Sequence, residues 1–194
     1  MTARHGIVLL AAGLSTRFEA GDKLLHPWRG QPLLAWAAAR VRAADVPVRV
    51  AVIGPREEAK RAILAAAEIP VVVNPAPADG MGTSLAVGTR ALPEDVAGVF
   101  VVLGDMPALP AEIFTQLADA LRAQPDRTIA APVHGGQRGH PVLFAACHLP
   151  ALRALTGDEG ARAILQAHAA QVCRVPCADP GVLRDLDTVA AFAE

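Results

Sequence analysis

The sequence has no tyrosine, 4% aromatic residues in all, three cysteines and no excess of charge of either sign. Scarce aromatics leave a core to be built from Ala, Val and Leu, and a hydrophobic fraction of 53% supplies them. Cys147, Cys173 and Cys177 are odd in number and follow no regular framework, which argues against a disulfide scaffold and for a reducing compartment. The expected location is therefore the cytoplasm. Cys173 and Cys177 fall close enough to share a turn, but no His or further Cys pair completes a zinc set. Lys and Arg number 18 against 19 Asp and Glu, a net charge of −1, so nothing global draws the chain to nucleic acid or to an anionic membrane. No apolar run approaches the roughly 20 residues that span a bilayer. Arg4 and His5 precede an apolar stretch, as in a secretory signal, but that stretch is short, broken by Gly13 and followed by Arg17 without a cleavage site. At 194 residues the chain is expected to form one domain, 1–194.

What the sequence does have is concentrated near its start. Residues 6–10, Gly-Ile-Val-Leu-Leu, suit a strand buried on both faces. The run stops at Ala11-Ala12-Gly13, and Ser15, Arg17 and Lys23 follow in a polar loop. Small residues let backbone N–H groups approach an anion, and Arg17 and Lys23 bring opposite charge, so the stretch reads as a cradle for a nucleoside triphosphate. Its spacing fits neither Gly-x-Gly-x-x-Gly nor the Gly-x-x-x-x-Gly-Lys-Ser/Thr loop. The plain alternative is an ordinary first strand and turn.

The rest of the chain alternates. Strands are expected at 48–53, 70–73, 96–103, 128–132, 142–144 and 172–175. Helices are expected at 31–44, 57–67, 110–124, near 148–155, at 159–169 and after Thr188. Residues 79–90, with the Thr83 and Ser84 hydroxyls, read as a glycine-broken loop entering a helix, a capped helix start being the plain alternative and compatible with ligand contact, and 134–141 as a glycine-rich loop. Such alternation predicts an α/β fold with a mainly parallel sheet and helices on both faces, its ligand at the carboxyl ends of the strands.

Asp105 follows eight uncharged residues, 96–103, and a carboxylate at a buried strand end needs a partner. A divalent cation bound to a triphosphate is an economical one, because Mg²⁺ takes a few carboxylates plus phosphate oxygens. A turn Asp bonding its own backbone before Met106-Pro107 is the structural alternative. Asp185 and Asp187 share a side if their segment is extended, and one of them is a candidate second metal ligand; Asp187 or Thr188 as a helix cap is the competing reading. Arg138 and His140 are candidates to hold a second, anionic or heteroaromatic substrate, or are solvated loop side chains. His26, His134, His148 and His168 receive no role. Cradle, cations and carboxylate together suggest phosphoryl or nucleotidyl transfer, in which positioning and charge neutralisation do most of the work.

Leu10-Ala-Ala-Gly-Leu-Ser-Thr-Arg17, Lys23, Gly82-Thr-Ser84, Gly104-Asp-Met-Pro107, Arg138-Gly-His-Pro141 and Asp185-Leu-Asp-Thr188 occur in that order. In this ordered set the chain resembles the nucleotidyltransferases of molybdenum cofactor maturation over essentially its whole length. The resemblance implies a Rossmann-like nucleotidyltransferase fold and Mg²⁺-dependent transfer of CMP from CTP to the terminal phosphate of molybdopterin. It further implies that Leu10, Ala11, Ala12, Gly13, Ser15, Arg17 and Lys23 bind the nucleotide, with the Gly82, Thr83 and Ser84 loop beside it. By the same resemblance Arg17, Lys23 and Asp105 are catalytic, Asp105 and Asp187 hold the metal, and Arg138 and His140 face the pterin. Ala12 stands where the guanylyl-transferring relatives have Gly, which favours CTP over GTP. The implied partner is a molybdoenzyme of the xanthine-dehydrogenase type or its chaperone. Glu19 occupies a position near Arg17 where the family usually has Gly, and an acid there weakens triphosphate binding unless it points outward or touches the metal. Transfer to another phosphorylated acceptor, such as a sugar phosphate, and a non-catalytic nucleotide-binding module are the alternatives.

Overall fold

The structure is a computed structural model that describes residues 4–15, 18–187 and 192. Its strands are β1 (His5–Leu10), β2 (Pro27–Trp28), β3 (Gln31–Pro32), β4 (Val48–Ile53), β5 (Val71–Val73), β6 (Gly98–Leu103), β7 (Ile129–His134), β8 (Gln137–Arg138), β9 (Val142–Ala145) and β10 (Val172–Pro176). Between them run α1 (Leu33–Ala43), α2 (Glu58–Ala66), α3 (Met81–Arg90), α4 (Ile113–Ala123), α5 (Leu149–Arg153) and α6 (Arg162–Ala167).

The main sheet has the order β10-β7-β9-β6-β1-β4-β5, with β8 added to β7 as a hairpin. β1 pairs in parallel with β4 and β6, β4 with β5, and β7 with β10. The sheet is thus mainly parallel, as expected, but β9 runs antiparallel to both neighbours. The chain reaches β9 directly from the β7–β8 hairpin, with no crossover helix to turn it round, so it must run the other way. The expected loop 134–141 therefore contains a strand, β8.

Both faces of β1 are buried, and the alternation of its side chains sorts two cores. Ile7 and Leu9 join Leu34, Leu64 and Phe114 from α1, α2 and α4. Val8 and Leu10 join Leu85, Leu152 and Ile164 from α3, α5 and α6. Helix α3 rides close to the sheet because Gly88 has no side chain; a Cβ there would lie 2.5 Å from Val8 Cγ1. Neither Thr83 nor Ser84 caps α3, contrary to the capped-start alternative. Its N-cap is Gly80, in the left-handed region at φ 106°, and Asn74 holds both hydroxyls instead. The helix expected after Thr188 lies outside the described residues.

Burial lowers the pKa of three histidines below the ordinary 6.5: His5, with help from Arg122, His148, with help from His168, and His140. At His140 the Val101 carbonyl pulls the other way and does not reverse the shift. Groups depressed in the folded state stabilise it above their unfolded pKa and lose that contribution as pH falls through the folded value. Urea unfolding should therefore show a midpoint that drops as pH is lowered from 7 towards 5. A midpoint constant over that range would contradict the burial of these rings.

Candidate active site

The carboxyl ends of β1 and β6 open onto a cavity of about 580 Å³. From the turn after β1 come Leu10, Ala12, Gly13, Leu14 and Ser15, followed by Phe18, Lys23 and Leu24. From β6 come Leu103, Gly104 and Asp105, and the C-terminal segment adds Asp185 and Asp187. The opposite wall is built of residues 77–78, Gly80, Met81, Ser84 and Asp158.

At its floor Lys23 Nζ lies 2.6 Å from Asp105 Oδ2 and 2.6 Å from Asp187 Oδ1. Burial works against the charge on Lys23, whose side chain is 14% exposed, but the two carboxylates outweigh it and raise its pKa above the usual lysine value. The ammonium thus stays protonated throughout neutral pH. Asp105 is held from behind as well, its carbonyl accepting from Leu186 N at 3.3 Å. Its second oxygen, Oδ1, is buried and has no hydrogen-bond partner among the described residues. Asp185 stands beside this pair; burial, Asp187 and Asp105 together push its carboxyl up. Three acids and one lysine crowd one end of the cavity, an arrangement that calls for further cationic charge.

The turn 11–15 is fixed from below. Ala11 N donates to Val52 O at 2.8 Å, which extends the β1–β4 ladder by one bond. Ser15 adopts a left-handed backbone, φ 51°, and its Oγ accepts from Lys23 N at 3.1 Å. Asp22 accepts from Leu24 N at 3.0 Å and opens the short 3-10 turn that carries Lys23. No backbone acceptor among the described residues takes the amides of Ala12, Gly13 or Leu14.

Across the cavity, residues 74–84 are tied together by Asn74. Its Nδ2 donates to Thr83 Oγ1 and Ser84 Oγ, both at 2.9 Å, and its Oδ1 accepts from Ala76 N at 3.0 Å. Gly82 N donates to Gly157 O at 2.8 Å, and a Cβ on Gly82 would sit 2.6 Å from Thr156 O. This close approach brings Asp158 to the wall.

The structure brings Leu10, Ala12, Gly13, Ser15, Lys23, Ser84, Asp105 and Asp187 around one cavity. Arg17 lies outside the described residues. Ala11, Gly82 and Thr83 support the walls without lining them, and Glu19 is exposed and does not line the cavity. Arg138 is exposed on β8 and does not line it either. His140 packs under the C-terminal segment, its backbone N–H donating to Val182 O at 2.9 Å and its ring Nδ1 buried without a partner among the described residues. Sequence reasoning missed Asn74, Asp158 and the buried Lys60. Asn74 followed a short strand with no visible partner, and Lys60 looked like one more charge on an amphipathic helix.

A model of the MobA-like NTP transferase domain matches residues 7–172. The chain is 32% identical over 189 residues to the nicotine blue oxidoreductase of Paenarthrobacter nicotinovorans, covering 94% of this chain and 91% of that one. Among solved structures it is similar to Rv0371c from Mycobacterium tuberculosis H37Rv, with 26% identity, a TM-score of 0.83 and coverage of 100% and 97%. A second structure of Rv0371c, described as a complex with manganese, gives 23% identity, a TM-score of 0.75 and coverage of 92% and 90%. With a Rossmann-like nucleotidyltransferase architecture and a family match across most of its length, the chain belongs to the MobA-like NTP transferases.

Proposed function

We propose that this protein transfers CMP from CTP to the terminal phosphate of molybdopterin. The carrying observation is the convergence in one cavity of Lys23, Asp105 and Asp187 with the 12–14 turn, whose amides meet no backbone acceptor among the described residues. The choice of CTP and of the pterin acceptor is supported by Ala12 and by the ordered motifs of the sequence, through the family they resemble. In the reaction an oxygen of the acceptor phosphate forms a bond to the α-phosphorus. The bond from that phosphorus to the bridging oxygen breaks, and its electron pair leaves with pyrophosphate.

In this reading the turn amides take the phosphate oxygens, and Lys23 neutralises charge that builds on the transferred group. Ser84 and the 77–81 wall face the nucleoside, and Met81 and Leu14, both exposed, offer apolar surface at the rim. A divalent cation fits the donor set, since Asp105 keeps a buried oxygen with no partner among the described residues and Lys23 already marks a cation seat between two carboxylates. No cluster of three or more His, Cys, Asp or Glu suited to a metal occurs among the described residues, so phosphate oxygens and water would complete its shell. Mg²⁺ held by Asp105 and Asp187 would supply Lewis-acid neutralisation of the phosphates. Arg138 and His140 would act on the pterin side, and the product would pass to a molybdoenzyme of the xanthine-dehydrogenase type or its chaperone.

The test is pyrophosphate release with CTP, Mg²⁺ and molybdopterin supplied together and each left out in turn. Release should require all three and be weaker with GTP. Turnover with a sugar phosphate and none with molybdopterin would replace the acceptor. One observation favours a second reading, in which the cradle holds a redox cofactor: the relative matched along nearly its full length is named an oxidoreductase. Consumption of a reduced nicotinamide without pyrophosphate release would select it, although the chain has no Gly-x-Gly-x-x-Gly turn.

A further inference from the structure

Lys60 is completely buried on α2, beneath the turn that follows β1. Its Nζ donates to Ala11 O at 3.0 Å and pairs with Asp22 Oδ2 at 3.0 Å and Glu57 Oε1 at 2.6 Å. Glu57 in turn accepts from Gly54 N at 2.5 Å, which anchors the group to the end of β4. A lysine removed from water needs such partners, yet two carboxylates would have been enough to neutralise it. The third bond goes to the main chain of the phosphate cradle.

That third bond has a directional consequence. In a trans peptide the C=O and the following N–H point in opposite directions. Drawing the Ala11 carbonyl inward to Lys60 therefore turns the Ala12 N–H outward, on the side where Ala12 lines the cavity. No backbone acceptor among the described residues takes that amide. The same ammonium holds Asp22, whose other oxygen accepts from Leu24 N and lies 3.5 Å from Ser15 Oγ. One buried charge thus pins both ends of the 11–22 loop.

We infer that Lys60 is a positioning residue for triphosphate binding, setting the Ala12 amide and the register of Ser15 and Lys23 without touching substrate itself. This rests on the nucleotide-transfer reading above. A purely structural lysine would serve only to neutralise Glu57 and Asp22, and the two roles separate experimentally.

The test is calorimetric titration of CTP into the full chain, with folding checked by circular dichroism. Lys60→Met should weaken CTP binding by about 10- to 100-fold, the range for losing a charged hydrogen bond that orients a ligand group. Because Lys60→Met strands two acids, Lys60→Met/Glu57→Gln is measured beside it; it carries one acid fewer, and Gln keeps an acceptor for Gly54 N. Steady-state kinetics should show the loss in KM for the nucleotide, with KM for the acceptor unchanged, and Lys60→Arg should restore part of it. A folded double variant that binds CTP as wild type does overturns the inference and leaves the function standing. Wild-type protein that binds no nucleoside triphosphate overturns both.

Discussion

Replacing Asp105 with Asn is expected to reduce turnover by about 10³-fold or more, the size of several kcal/mol of lost charge stabilisation on the transferred phosphates. The fold should survive. Asn is isosteric, it can still accept from Lys23, and the Leu186 bond runs to the Asp105 main chain. What disappears is the negative charge at the end of β6, together with the buried oxygen that has no partner among the described residues. Asp187 does not substitute for it, being 48% exposed on the C-terminal segment rather than seated on a strand. Pyrophosphate release by a variant with wild-type circular dichroism measures the effect. Activity within tenfold of wild type would mean that Asp105 serves only to pair with Lys23.

Lys23→Met should act in two directions at once. Turnover falls by about 10²- to 10³-fold, as for loss of one preorganised donor at developing charge. Binding of a divalent cation to the nucleotide-free protein should tighten, because the ammonium no longer lies 2.6 Å from both carboxylates. Titration with Mn²⁺ followed by electron paramagnetic resonance reads this directly. Weaker Mn²⁺ binding in the variant would show that Lys23 does not compete for the seat. The raised pKa of Lys23 adds a sign to the wild-type stability curve. Its contribution is complete below the unfolded value of 10.5 and is lost as pH rises through the higher folded value.

The two lysines show where sequence reading reaches and where it stops. Lys23 stood out because it follows a buried strand and a small-residue turn, and the structure places it at the cavity floor. Lys60 sits in Glu-Glu-Ala-Lys-Arg, which reads as a solvated helix face. Its neighbour Arg61 fits that reading, pairing at 3.7 Å with Glu58, with side chains 46% and 81% exposed, a contact contributing about 0–1 kcal/mol at most. Lys60 carries the same charge one residue earlier and is wholly buried, because the helix phase turns it under the cradle. Likewise 142–144 was legible as a strand from its apolar run, while its direction depended on the hairpin before it.

By itself the sequence determined the alternation of strands and helices, the small-residue turn after β1 and the isolated carboxylate after β6. These are properties of local pattern, since periodicity and residue size act over a few neighbours. Only the tertiary structure decided that Lys23 reaches Asp105 and Asp187, respectively 82 and 164 positions away, that Gly82 brings Asp158 to the wall, and that Lys60 supports the turn. Such contacts depend on which strand ends share an edge and on which helix face meets it, and no local pattern encodes either.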